Sequence, residues 1–141
     1  MKLKLCAPLL YAKIDIKNDD FCPKLSKNEE YLQCFELNPL QSDSIEPIRG
    51  QFLGQPVFIG HKIAENKKIE EKEAVSLPQG LYLLVQKRST QALNRSEWLD
   101  MAVEQQKDGL WERNKLGNLL YVRYLYEDEA YVTQVFRPAE N

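Results

Sequence analysis

The chain has 141 residues, 43% hydrophobic and 28% charged, which is enough for one packed core and leads us to expect a single domain over 1–141. Its 19 basic and 21 acidic residues leave a net charge of -2, so no basic field gathers a phosphate backbone, and direct nucleic-acid binding is not expected. No apolar run reaches the roughly 18 residues of a membrane helix, and the start Met1-Lys2-Leu3-Lys4-Leu5-Cys6 lacks a signal peptide's apolar stretch; a cytoplasmic protein with no membrane partner is expected. Cys6, Cys22 and Cys34 form no C-x-x-C pair, which argues against a disulfide framework and a zinc site.

In chain order, Leu9 to Ile16 alternates apolar and polar residues as a half-buried strand does. Ser26-Lys27-Asn28-Glu29 reads as a capping box opening a helix through Tyr31, Leu32 and Phe35, with Pro39 closing it. Ile48 to Phe52 and Val57 to Ile63 are predicted as two short strands around the turn Leu53-Gly54-Gln55-Pro56. The mixed-charge stretch from Ala64 is expected to be a solvated connector over 64–76. After Leu77-Pro78-Gln79-Gly80, the run Leu81-Tyr82-Leu83-Leu84-Val85-Gln86 is predicted as a strand. Asn94-Arg95-Ser96-Glu97 then caps a helix carrying Trp98, Met101, Ala102 and Gln105, which Gly109 is expected to interrupt. Leu119 to Tyr126 and Tyr131 to Phe136 form a hairpin around Glu127-Asp128-Glu129-Ala130, with Pro138 ending it. The order strand, helix, hairpin occurs twice, over 8–63 and 80–137. The expected fold is therefore α+β, with two βαββ halves building one antiparallel sheet about a pseudo-twofold axis.

Four segments of the second half carry a resemblance: Leu77-Pro78-Gln79-Gly80-Leu81-Tyr82-Leu83-Leu84-Val85, the helix with Glu97-Trp98-Leu99, Leu120-Tyr121-Val122-Arg123-Tyr124-Leu125, and Val135-Phe136-Arg137-Pro138. They resemble the GyrI-like domain family, which also supplies the effector-binding domains of multidrug-responsive transcription activators. Pro78, Gly80, Tyr82 and Pro138 echo that family's Pro-x-Gly-x-Tyr opening and its apolar-Pro closing strand. The likeness covers about the last 65 residues; the first half follows by element order alone. It implies helices on one face of the sheet and a ligand cleft at the seam of the halves. Drug-binding members carry a Glu two residues before a Tyr in the first hairpin strand, where it pairs with cationic ligands. Here the Tyr falls on Tyr124 and the Glu position on Val122, so a preference for cations is expected to be lost.

The residues then give a candidate ligand site of Tyr82, Trp111, Glu112, Val122 and Tyr124. Tyr82, Trp111 and Tyr124 suit a flat organic ligand or a packed core equally, whereas Trp98 reads as core. Tyr126 and Tyr131 suit a cross-strand pair. Arg123, one residue out of phase with Val122 and Tyr124, is expected to face the other side of the strand and meet solvent; turned inward, it would favour an anionic ligand. The lone histidine, His61, reads as structural, and no metal, P-loop or dinucleotide signature is present, so no cofactor is expected. Binding of a small aromatic or apolar molecule, for sensing or sequestration, is the expected function. The alternatives are a protein partner, as for relatives that inhibit a topoisomerase, and a hydrolase with Glu112 as general base.

Overall fold

The computed structural model describes residues 1–14, 29–36, 56–62, 74–111 and 115–140. Among them lie nine strands and one helix: β1 (Lys2–Leu5), β2 (Leu9–Ile14), β3 (Glu30–Glu36), β4 (Phe58–His61), β5 (Ala74–Leu77), β6 (Gly80–Ser89), α1 (Arg95–Trp111), β7 (Lys115–Leu116), β8 (Leu119–Glu127) and β9 (Ala130–Glu140). A sheet-dominated α+β fold results. Eight strands pair antiparallel in the order β1-β6-β9-β8-β3-β4-β2-β5, and the short β7 pairs β9.

That order forces the sheet to curl. Between β5 and β6 lie six ladder steps, about 29 Å in a flat sheet at roughly 4.8 Å each. Yet Leu77 ends β5 and Gly80 begins β6, three Cα steps that span at most about 11 Å. The two ends of the sheet must therefore meet. Leu3 and Leu5 of β1 and Val75 and Leu77 of β5 indeed share one cluster with Tyr11, Leu32, Cys34, Tyr82, Tyr121 and Phe136. Side chains from both ends can touch only on the concave face.

On the convex face lies α1. Its start is a reciprocal capping box: the Glu97 N–H donates to Asn94 Oδ1 at 3.0 Å, and the Asn94 N–H donates to Glu97 Oε1 at 3.1 Å. Trp98, Ala102 and Val103 pack on Phe35, Leu120, Val122, Tyr124 and Val135. The helix runs through Gly109 to Trp111 instead of stopping, because the missing side chain lets it sit close to the sheet. A Cβ at Gly109 would lie 2.9 Å from Leu116 and 3.0 Å from Leu83. Gln105, buried in the interface, donates its Nε2 to the carbonyls of Leu83 and Val135, each at 2.8 Å.

The predicted strand at Leu9, the Leu81 strand, the Asn94 helix and the Leu119–Phe136 hairpin are all present. Tyr126 and Tyr131 do pair across the hairpin, edge to face at 5.2 Å. β9 passes through Pro138, whose carbonyl accepts from the Gly117 N–H at 2.9 Å. Three readings need correction. The helix expected through Tyr31, Leu32 and Phe35 is strand β3, which pairs β4 on one side and β8 on the other. It is apolar on both faces, Leu32 and Cys34 inward and Phe35 under α1, so a period of two is erased and a helical spacing arises by accident. β5, which pairs β2, begins inside the connector expected over 64–76. The hairpin strand expected to end at Pro138 runs on to Glu140, and Lys2–Leu5, for which no element is predicted, pairs β6. The Ser26–Asn28 cap, the Ile48–Phe52 strand and Glu112 lie outside the described residues.

The strand order carries an internal symmetry. In the second half β9 pairs back onto β6, and in the first half β4 pairs back onto β2, with β8 and β3 meeting at the middle. From the midpoint pair Gln33↔Val122, the registers run Gln33↔Ile59↔Ile14 on one side and Val122↔Val135↔Val85 on the other. Three residues before Ile14 and Val85 stand Tyr11 and Tyr82, which take equivalent inward positions.

Candidate functional site

The expected site residues do not come together. Val122 and Tyr124, 0% and 1% exposed, lie under α1. Tyr82 lies on the concave face, edge to face with Tyr121 and Phe136 at 6.2 and 5.7 Å, and its hydroxyl donates to the Pro78 carbonyl at 2.6 Å. Sheet alternation separates them, since position 82 is in phase with Tyr121 and not with Val122. Trp111 ends α1. Arg123 does leave the Val122 face as expected, but it enters the curl of the sheet where solvent exposure was predicted. Its side chain is 20% exposed.

The reason is the cross-strand register. Lys13, Gly60, Leu32, Arg123, Gln134 and Gln86 are successive partners across six strands, so they form one row on the concave face. Arg123 Nη1 donates to Gln134 Oε1 at 3.0 Å, and Gln134 Nε2 donates to Gln86 Oε1 at 2.8 Å. Two residues before Leu32, Glu30 again faces inward as a diagonal neighbour of Arg123. Arg123 Nε and Nη2 donate to Glu30 Oε2 and Oε1, each at 3.0 Å. This side-on pair binds both carboxylate oxygens. From β2 the Tyr11 hydroxyl donates to Glu30 Oε2 and accepts from Arg123 Nε at 3.2 Å. Gly60 makes room for that tyrosine: a Cβ there would lie 2.5 Å from Tyr11 Cβ.

The electrostatics follow from burial. Burial alone would lower the Arg123 pKa, but hydrogen bonds to Glu30 and the charge of its partners outweigh it and raise the value. Burial raises Tyr11 far above the usual phenol range, with Arg123 opposing and Glu30 adding. Next to this network is an apolar region. There burial pushes the Cys34 thiol up to about 12, against a hydrogen bond with Tyr121, and also raises Tyr121 and Tyr82. A thiol so protonated near neutrality is no nucleophile. Among the described residues no group of His, Cys, Asp and Glu is placed to hold a metal, and no helix is long and apolar enough to cross a membrane.

Sequence reading missed Glu30, Tyr11 and Gln134, and it misplaced Arg123. The available signal was a charged residue inside an aromatic strand, Leu120-Tyr121-Val122-Arg123-Tyr124-Leu125, which a solvated face does not require. No protein-family model matches the chain, and no curated protein matches it.

Proposed function

We propose that the protein binds a small organic molecule at the open end of its curled sheet, as a ligand sensor or a sequestering protein of the GyrI-like kind. What carries this reading is the constellation of Arg123, Glu30, Tyr11 and Gln134 beside an aromatic and aliphatic cluster on the concave face. Stability does not call for it: a partly buried ion pair is often replaceable by apolar residues of similar volume at no cost or with a gain. Concave surfaces with a few convergent polar groups among aromatic rings are the usual form of a ligand site. The mirrored strand order of the two halves supports the GyrI-like resemblance, with a seam between β3 and β8 from which Glu30 and Arg123 both project. This site lies on the face opposite Tyr124, and of the expected residues whose side chains are described, Tyr82 borders it. Both Glu30 oxygens already accept hydrogen bonds, which suits an anchoring pair better than the general base of a hydrolase.

The test is a thermal-shift screen against planar compounds of neutral, cationic and anionic charge, since binding to the folded state raises its melting temperature. We expect at least one class to shift the transition in the native protein. For at least one class that shift should be lost in Arg123→Lys, and it should persist in Tyr131→Phe, which alters the opposite face. If every class kept its full shift in Arg123→Lys, the ligand would lie elsewhere.

A further inference from the structure

Resting on that reading, we infer that the site takes an organic carboxylate rather than a cation. The reason is how the hydrogen-bonding capacity of the network is used up. Arg123 has only donors, so Gln134 must turn its Oε1 toward Nη1; its Nε2 must then point to Gln86, which must answer with Oε1. The amide orientations are thus dictated in sequence from Arg123 outward. Every strong acceptor of the constellation is engaged: Glu30 Oε1 and Oε2, Gln134 Oε1 and Gln86 Oε1. What remains is donors. Of the five guanidinium N–H groups, Nε and one each on Nη1 and Nη2 are used, so two have no acceptor among the described residues. Gln134 Nε2 keeps one N–H and Gln86 Nε2 keeps two.

Charge on this face is balanced, so the spare donors decide. Of the described side chains that the strand phase places there, Lys13, Arg88 and Arg123 are basic and Glu30, Glu36 and Glu127 acidic. Glu30 is neutralised by Arg123, and the rim pair Arg88–Glu127 lies 4.0 Å apart. A cation arriving here meets a carboxylate already engaged by three donors; a carboxylate meets an arginine held in place by Glu30 and Gln134 with N–H groups to spare. Little side-chain entropy is then lost on binding.

The experiment uses three probes of one shape, 2-naphthoate, 2-naphthamide and 2-(aminomethyl)naphthalene, titrated into the full chain by ligand-observed NMR. We expect 2-naphthoate to bind at least tenfold more tightly than the amine, with the amide between them. Arg123→Lys should reduce naphthoate affinity at least tenfold and leave the amide within about threefold. Should that variant fold poorly, Gln134→Met, which unseats Nη1 but keeps both charges, should still weaken naphthoate selectively. Equal affinities for the three probes, or a preference for the amine, overturn the carboxylate assignment while leaving a ligand site in place. Absence of binding by all three overturns the assignment and the ligand-site reading together.

Discussion

At the scale of single residues, the most exacting positions are Gly60 and the Glu30–Arg123 pair. A methyl group at Gly60 meets Tyr11 Cβ at 2.5 Å and Val75 Cγ2 at 2.8 Å, and neither atom is the end of a flexible chain. Gly60→Ala should therefore cost about 1–3 kcal/mol, the range for overpacking, as measured by urea unfolding. It should also push Tyr11 away from Glu30. Glu30→Gln removes the charge facing a mostly buried guanidinium and should cost about 1–3 kcal/mol. Adding Arg123→Met to that variant should recover stability, because the uncompensated charge goes with it. A double variant no more stable than Glu30→Gln alone would show that the pair is not an electrostatic unit.

Among the elements, the β8–β9 hairpin has a turn that its own residues disfavour. Asp128 and Glu129 have φ of 51° and 62°, the left-handed pair that a type I′ turn requires and that Asn-Gly supplies with least strain. Replacing Asp128-Glu129 by Asn-Gly should stabilise the protein by about 1 kcal/mol, read as a higher urea midpoint with unchanged slope. Asn94→Ala should work in the opposite direction by about 1 kcal/mol through loss of the cap. Both sites are exposed and neither takes part in the Arg123 network, so ligand affinity should hold while stability moves. These elements were also the legible ones. The cap and hairpin are written within a few neighbouring residues, and local signals of that kind do not depend on what the rest of the chain does.

For the molecule as a whole, its response to alkali follows from the concave core. Cys34, with an ordinary value of 9.0, is raised to about 12, and Tyr11, Tyr82 and Tyr121 are raised above their ordinary 10.0. Each group holds its proton more tightly folded than unfolded. Their contribution to stability is complete below pH 9 and is lost as pH rises toward the folded values. Urea unfolding should thus show stability falling from pH 9 upward, and Cys34→Ala should flatten the part of that fall between pH 9 and 12. The same core explains which elements sequence reading could recover. Alternation and caps specify β2, β6, α1 and the hairpin as separate pieces. They do not specify that β3 is a strand, because a central strand buried on both faces loses its period, nor that Lys2–Leu5 and Ala74–Leu77 have partners, because short segments acquire structure only from the strands beside them. Arg123 is the clearest case. Its phase relative to Val122 is a local property and could be read; Glu30 and Tyr11 lie 93 and 112 residues away, and only the pairing of β8 with β3 and the closure of the curl bring them to its guanidinium.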